Sequence, residues 1–284
     1  MSKFNLLKGR NHTVNLAGQL LLLNSPIVMG IVNLTPDSFY DGGTLETEKD
    51  LLNLVDKHLS EGASILDLGA YSSRPGAEDI PESVELQRLI PNLKAVLRAF
   101  PKSIVSVDTF RSKVGRAALE NGALMINDIS GGELDSNLPK VTAEFRVPYV
   151  CMHMKDRPRN MQNNLKETVI MPQLLKHFSF KLKELRDLGQ HDVIVDPGFG
   201  FGKTLDQNYE ILSELETLTN LNAPILAGIS RKSMINRVLD TKPKQALNGT
   251  TALHMSLLER GVNILRVHDV KEAVETIKLF NKLN

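Results

Sequence analysis

The sequence contains almost no cysteine and carries almost no net charge. Cys151 is the only cysteine among 284 residues, so no disulfide can form within the chain. Disulfides are rare in reducing compartments, and a single thiol therefore fits the cytoplasm, where we expect this protein. The 34 Lys and Arg residues nearly balance the 33 Asp and Glu residues, for a formal charge of +1. This balance gives no reason to expect nucleic acid or an anionic membrane as a partner.

Long uninterrupted apolar runs are absent as well. The apolar stretch over residues 16–34 is broken by Gln19, Asn24, Ser25 and Pro26, too soon for a membrane span. The first twelve residues, MSKFNLLKGRNH, lack the apolar segment of a secretory signal. No segment has low complexity or the composition of a linker. We therefore predict one domain over residues 1–284, with residues 1–25 as an amino-terminal extension.

The sequence does contain a repeated alternation of strand and helix patterns. Short apolar runs predict strands at residues 27–32, 64–68, 103–107, 123–126, 147–152, 193–195, 224–227 and 264–267. Apolar residues at helical spacing predict helices at 47–61, 81–100 with a kink at Pro91, 112–121, 138–145, 169–188, 209–218, 233–239, 251–260 and 270–283. Eight strand–helix units in a chain of this length predict a (β/α)8 TIM barrel. Residues 4–23 would then form a hairpin that caps one end of the barrel.

Nearly every predicted strand ends in a polar residue. These residues are Asn33, Asp67, Asp108, Asn127, Asp196 and Arg266. A single polar residue at a strand end is most simply a surface residue or a helix cap. Its recurrence is different, because the carboxyl ends of all barrel strands meet at the mouth that holds the active site in this fold. We therefore expect a polar ring at that mouth.

Two predicted strands open into long polar segments. LTPDSFYDGG follows the strand at 27–32, and AYSSRPGAED follows the strand at 64–68. Pro and Gly residues at these positions cannot continue a strand or helix without cost, which predicts loops at 35–43 and 72–78. Both loops would lie at the same mouth as the polar ring.

The glycine-rich stretch DPGFGFGKT, residues 196–204, resembles a phosphate-binding loop only at first sight. A P-loop needs Gly six positions before its Lys, but Pro197 stands there relative to Lys203. The dinucleotide fingerprint fails too, because one residue instead of two separates Gly200 from Gly202. The stretch therefore predicts a strand that ends at Asp196 and glycines that let the backbone approach a flat ligand.

Seven segments of the sequence, in order, resemble the strand-end motifs of the dihydropteroate synthases. They span residues 28–270 and read VMGIVNLTPDSFYDGG, LDLGAYSSRPG, SVDTF, INDISGG, DPGFGFGK, GISRKS and RVHDV. This family condenses 7,8-dihydropterin-6-ylmethyl diphosphate with p-aminobenzoate, which gives 7,8-dihydropteroate and pyrophosphate in folate biosynthesis. The resemblance implies this transferase activity, its two small-molecule substrates, Mg²⁺ as cofactor, a homodimer and a sulfonamide target.

The resemblance also implies which residues bind the pterin. They are Asp108, Asn127, Met152, Asp196, Lys232 and Arg266. A reduced pterin presents a row of N–H donors, and a carboxylate accepts two of them side by side, which is the role implied for Asp196. Lys232 would donate to the carbonyl side of the ring, and Arg266 would lie over its face.

The leaving diphosphate needs cations and hydrogen-bond donors. The residues implied for it are Asn33, Ser73, Arg74, Arg266 and His268. Asn33 is also the implied metal ligand through its amide oxygen, since Mg²⁺ takes few protein oxygens and completes its shell with phosphate and water. His268, two residues after Arg266 in an extended segment, lies on the same face.

The p-aminobenzoate site needs apolar walls and a partner for a carboxylate. The residues implied for it are Phe39, Pro75, Phe201, Lys232 and Ser233. Ser233 begins a predicted helix, a position that favours a carboxylate. The loops at 35–43 and 72–78 would close over this substrate and exclude water.

The catalytic residues implied are Asp108, Lys232, Asp37 and Arg74. The reduced pterin can delocalise positive charge from the methylene carbon, so loss of diphosphate can run ahead of amine attack. We therefore predict an SN1-like route, in which the carboxylates of Asp108 and Asp37 stabilise a developing cation and Arg74 stabilises the departing anion.

Two positions depart from the family pattern, and two alternative functions stay open. Tyr71 stands where the family commonly has Glu, and Ser73 where it has Thr. Asp67 is interpreted as a helix cap or a satisfied buried acid. Methyltetrahydrofolate-dependent methyltransferases also bind a pterin in this barrel, but they give no reason for the SSRPG and SRKS segments. A catalytically silent pterin-binding homologue is disfavoured by the retained polar residues.

Overall fold

The apolar runs form eight parallel strands in one sheet that nearly closes on itself. The computed structural model describes residues 12–35, 47–72, 79–155 and 168–283. A hairpin of β1 (Thr13–Leu16) and β2 (Gln19–Leu22) precedes the barrel. The barrel strands are β3 (Ile27–Asn33), β4 (Ile65–Gly69), β5 (Val105–Asp108), β6 (Met125–Asp128), β7 (Tyr149–Met152), β8 (Val193–Asp196), β9 (Leu226–Ala227) and β10 (Ile264–Val267).

The strand order confirms the predicted barrel. Neighbouring strands follow the order β8-β7-β6-β5-β4-β3-β10-β9, and every pairing in this sheet is parallel. A parallel bridge between Val195 and Ile225 joins the two ends of the sheet. The strands are apolar on both faces because helices cover the outside and side chains fill the inside.

Several strands extend further than the apolar pattern predicts. The polar residues Asn33, Asp108 and Asp196 belong to the last positions of β3, β5 and β8, not to the loops. Their backbones still pair with the neighbouring strands. These polar side chains therefore indicate where the mouth of the barrel begins, although the backbone hydrogen bonds between strands continue through them.

Helices alternate with the strands around the outside of the barrel. In the described residues they are Glu48–Ser60, Glu82–Ala99, Ser112–Glu120, Leu138–Phe145, Met171–Asp187, Leu205–Glu214, Ser233–Leu239, Leu247–Glu259 and Val270–Leu283, with 3₁₀ turns at Leu215–Leu221 and Pro243–Gln245. The helix predicted at 209–218 begins earlier, because Thr204 and Gln207 form a capping box ahead of it. The second helix continues on both sides of Pro91.

The core has two parts on opposite faces of the barrel wall. The larger part lies between strands and helices. The smaller part lies inside the barrel near the amino-terminal ends of the strands, where hairpin residues Val14, Leu16 and Leu23 pack with strand residues Met29, Ile65, Met125, Val150, Ile194, Leu226 and Ile264. The hairpin therefore covers the end of the barrel opposite the polar mouth, although residues 1–11 of the predicted extension lie outside the described residues.

None of the helices among the described residues combines the length and apolar character needed to cross a membrane.

Replacing Leu16 with Ala should destabilise the fold without changing the mouth. Leu16 is 3% exposed in the inner core, so its truncation should lower the free energy of unfolding by about 2–4 kcal/mol. Leu20→Ala is the matched control on the same hairpin, because Leu20 is 69% exposed. Urea unfolding followed by circular dichroism measures both. Equal losses in the two variants would show that the hairpin does not bury Leu16 as described.

Candidate active site

A cleft opens at the carboxyl ends of the barrel strands. Its volume is about 580 Å³. Seven of the predicted site residues line it: Asn33, Asp108, Phe201, Lys232, Ser233, Arg266 and His268. Five others, Asp37, Phe39, Ser73, Arg74 and Pro75, lie outside the described residues. The strand-end pattern therefore led to one continuous surface, as expected for a barrel.

Strand register places three of the polar residues at one level of the barrel. Asn33 pairs with Gly69, Gly69 with Asp108, and Asp108 with Asn127 across β3 to β6. The glycine between Asn33 and Asp108 carries no side chain, and a Cβ there would lie 3.5 Å from that of Asp108. Asp108 therefore lies within ordinary van der Waals contact of this position on β4.

Three of the predicted pterin residues lie deeper than the cleft surface. Asn127, Met152 and Asp196 are all buried. Met152 packs with Ile129 and Met154, next to Phe110, Leu134 and Phe201. These residues form an apolar patch at the mouth, beside the buried acids.

Arg266 joins two acids across the barrel mouth. Its Nε donates to Asp67 Oδ2 at 2.6 Å, and its Nη2 donates to Asp108 Oδ2 at 2.9 Å. Asn127 Nδ2 donates to the same Asp67 oxygen at 2.9 Å. Asp67 is fully buried, and its Oδ1 has no hydrogen-bond partner among the described residues. The sequence pattern led us to treat Asp67 as structural, yet it lies at the centre of this network.

Burial and neighbouring charges shift the pKa values of the acids and bases around the cleft. Burial raises the pKa of Asp108 to about 7, with Arg266 opposing and Asp67 adding to the rise. Burial also raises the pKa of Asp196, against the opposing charge of Lys232. In turn, burial lowers the pKa of Lys232 to about 8, which Asp196 counteracts. Perturbed groups that converge in one cleft are typical of a functional site.

Lys232 connects the buried acid of β8 with an aromatic wall. Its Nζ donates to the carbonyl oxygen of Phe199 at 2.5 Å and lies 4.6 Å from the centre of the Phe201 ring. A cation at this distance from an aromatic face is attracted to the ring. The sequence predicted both residues for the p-aminobenzoate site, and the structure brings them into contact.

The glycine-rich loop packs on the end of β7 instead of standing open to a ligand at Gly198. A Cβ on Gly198 would lie 2.1 Å from the carbonyl oxygen of His153, and the residue has a φ of +68°. Its backbone N–H donates to Asp196 Oδ1 at 2.7 Å, which orients that carboxylate. Close approach of backbone to backbone therefore explains this glycine.

Lys203 also fixes the glycine-rich loop. Its Nζ donates to the carbonyl oxygens of Gly198, Phe201 and His153 at 2.8, 3.0 and 3.1 Å. The residue is buried, and burial lowers its pKa to about 7. The sequence excluded Lys203 as a P-loop lysine, but no local signal indicated that it would bind three backbone carbonyls.

Tyr71, the departure from the family pattern, lines the cleft beside a cationic side chain. Its ring meets Phe110 edge to face, with ring centres 5.0 Å apart. The Arg111 guanidinium lies 5.2 Å from the Tyr71 ring. Tyr71 therefore contributes an aromatic surface at a position where the family commonly has a carboxylate.

Comparison with known proteins gives consistent matches. A family model described as pterin binding enzyme matches residues 29–268. The chain is 38% identical to dihydropteroate synthase of Escherichia coli (strain K12), covering 92% of this chain and 93% of the relative. It is 37% identical to the Bacillus subtilis (strain 168) enzyme of that name, covering 90% and 88%.

Solved structures match as closely. The dihydropteroate synthase of Yersinia pestis in a sulfonamide drug complex superimposes with a TM-score of 0.91 and 35% identity, covering 96% of this chain and 99% of that one. The enzyme of Xanthomonas albilineans with 4-aminobenzoic acid gives a TM-score of 0.87 and 35% identity, covering 96% and 98%.

Replacing Gly198 with Ala should displace the glycine-rich loop. We expect Gly198→Ala to cost about 2 kcal/mol more in unfolding free energy than Gly189→Ala, because of the overlap with His153. Gly189 is the matched control, since its φ is +85° and no atom lies within 4 Å of a Cβ there. The control therefore measures only the cost of placing Ala in a left-handed backbone conformation, about 1 kcal/mol of unfolding free energy. Urea unfolding of both variants decides, and equal costs would rule out the close packing.

Proposed function

The chain belongs to the pterin-binding enzymes and, within them, to the dihydropteroate synthases, and from this membership we propose how its residues divide the reaction. As a transferase of this family it joins the pterinylmethyl group to p-aminobenzoate and releases pyrophosphate. The observation that carries the division of roles is the buried network of Arg266 with Asp67 and Asp108, which adjoins Lys232 and Asp196.

Asp196 binds the donor edge of the pterin in this proposal. Its carboxylate accepts one N–H from Gly198 and retains lone pairs for two further donors. The approach of Lys232 supports the ionised form that a double acceptor requires. Asn127 donates its Nδ2 to Asp67, so its Oδ1 is the acceptor that it offers to the ring. Met152 supplies apolar contact from the neighbouring strand.

The diphosphate binds on the side of the cleft that Asn33, Arg266 and His268 line. Ser73 and Arg74, outside the described residues, complete this set by resemblance. No three His, Cys, Asp or Glu side chains form a metal cluster in the described parts of the chain. Mg²⁺ would fit here, with the amide oxygen of Asn33 to hold it and with diphosphate and water to complete its shell. When bound, it neutralises charge on the leaving group.

The p-aminobenzoate lies between Phe201 and the turn at Lys232 and Ser233. The ammonium of Lys232 and the hydroxyl of Ser233 meet its carboxylate, and the Phe201 ring forms an apolar wall. Phe39 and Pro75 would close the opposite side, but both lie outside the described residues. The amine nitrogen is neutral near pH 7 and needs no strong base.

We propose that carbon–oxygen cleavage precedes amine attack. The bonding electron pair leaves with the diphosphate, and the resulting pterinylmethyl cation accepts the lone pair of the amine, whose proton passes to solvent. Asp67 and Asp108 place negative charge beside the developing cation, and Asp37 would add to it. Arg266 faces both acids, so its single positive charge offsets one of their two negative charges before the substrate binds.

The cytoplasmic location and the homodimer also stay predictions. The location rests on the single cysteine, Cys151, which is buried. The homodimer rests on the resemblance. The methyltransferase alternative is disfavoured, because the relatives that match over nearly the whole chain are synthases.

Asp196→Ala should weaken pterin binding by on the order of 2–4 kcal/mol, because it leaves buried donors of the ligand without an acceptor. Calorimetry with a pterin ligand measures the loss. Asp206→Ala is the control, since Asp206 is exposed on the helix that follows the same loop. A change in affinity for Asp196→Ala of less than about threefold would remove Asp196 from the pterin site.

The order of bond breaking is tested by a secondary deuterium isotope effect at the methylene carbon. We expect a large normal effect on kcat/KM under conditions where chemistry limits the rate, because the carbon loses a bond before it gains one. Asp108→Asn should lower kcat, since it removes negative charge near the cation. A value near unity, with Asp108→Asn as active as the unmodified enzyme, would favour direct displacement.

A further inference from the structure

Two adjacent side-chain contacts join the loops that follow β9 and β10. The backbone N–H of His268 donates to the hydroxyl oxygen of Ser230 at 3.3 Å, and Nδ1 of the His268 ring lies 3.1 Å from the same oxygen. One residue further along both loops, Arg231 binds Asp269 with two hydrogen bonds, Nε to Oδ2 at 2.8 Å and Nη2 to Oδ1 at 2.6 Å. We call the ion pair of Arg231 and Asp269 the loop clasp.

Arg231 is held by more than its ion pair. Its Nη1 donates to the carbonyl oxygens of Pro243 and Lys244 at 3.2 and 3.3 Å, and its backbone N donates to Thr250 Oγ1 at 3.2 Å. The side chains of Arg231 and Asp269 are 15% and 16% exposed, so the pair is largely withdrawn from water. Removal of one partner would leave the other charge buried without compensation.

The backbone of Arg231 is in a conformation that L residues seldom adopt. Its φ is +56°, in the left-handed region, whereas the next residue, Lys232, is extended at φ −72° and ψ 157°. A non-glycine residue persists in this region when its surroundings over-determine it. The contacts of Arg231 supply that constraint, and the turn they fix is the one that directs Lys232 and Ser233 toward the cleft.

We propose that Arg231 and Asp269 are positioning residues of the synthase. Their ion pair fixes the Lys232–Ser233 turn against Arg266 and His268, and so holds the groups for pterin and p-aminobenzoate at a set distance from those for the diphosphate. This inference rests on the roles proposed above for those residues. Attack of an amine on a carbon that is losing its leaving group depends on such spacing.

A double-mutant cycle tests the pair in the full-length enzyme. Arg231→Met and Asp269→Asn should each lower kcat/KM for p-aminobenzoate by about 10- to 100-fold. The kcat/KM of the double variant should be no lower than that of the more impaired single variant, because the two residues act as one unit. Arg231→Lys, which keeps the charge but not the two-point contact, should recover part of the loss. If a Met variant fails to fold, Arg231→Lys and Asp269→Glu form the cycle instead.

The control is a second two-point pair, which is more exposed and lies outside the cleft. Arg116 binds Glu144 through Nη1 to Oε1 at 3.0 Å and Nη2 to Oε2 at 2.5 Å, between two outer helices. Arg116→Met and Glu144→Gln should leave kcat and both KM values unchanged. Thermal unfolding of all variants sets an assay temperature at which each is fully folded.

Four outcomes distinguish the inference from the proposed roles. Clasp variants that lose stability but retain kcat and KM when folded would overturn it, and so would kinetic losses that simply add in the double variant. Lys232→Met, Ser233→Ala and His268→Ala are measured alongside. If these three leave the kinetics unchanged, the proposed roles fail; if they impair turnover while the clasp variants do not, only the positioning inference fails.

Discussion

The mouth of the barrel depends on one group of paired, largely buried charges. Arg266 on β10 binds Asp67 on β4 and Asp108 on β5, residues that lie 199 and 158 positions away in the sequence. A buried charge without a partner costs several kcal/mol, so these three side chains constrain one another and the strands that carry them. The barrel therefore brings together, at its mouth, side chains that are far apart in the sequence.

The same charges set the chemistry of the cleft. Burial raises the pKa of Asp108 to about 7, against the charge of Arg266, and lowers that of Lys232 to about 8, against the charge of Asp196. The fold accommodates this arrangement because backbone groups and neighbouring charges support each one. The N–H of Gly198 orients Asp196, and the carbonyl oxygen of Phe199 accepts a hydrogen bond from Lys232. Arg266 opposes the rise in the pKa of Asp108 that burial causes. A cleft of this kind stabilises charge that develops during the reaction.

Parts of the site gave no recognisable sequence signal. Asp67 belonged to the predicted polar ring but was interpreted as a helix cap or a satisfied buried acid. Lys203 resembled a failed phosphate-loop lysine, and Arg231 was a neighbour of Lys232, which we predicted to be catalytic. Each acts through partners that are remote in sequence: Asp67 through Arg266, Lys203 through the His153 carbonyl, and Arg231 through Asp269. The start of the helix predicted at 209–218 was misplaced for a different, local reason, because the capping box at Thr204 lies upstream of the apolar pattern.

The sequence by itself determined the strand–helix alternation, the barrel and most of the polar ring, because burial on both faces leaves a continuous apolar run and each run stops where the mouth begins. It thereby placed Asn33, Asp108 and Lys232 in one cleft. Only the tertiary structure decided which charges pair, which glycine packs on which strand, and how the last two loops are clasped. Those choices depend on strand register and barrel closure, which no short stretch of sequence encodes.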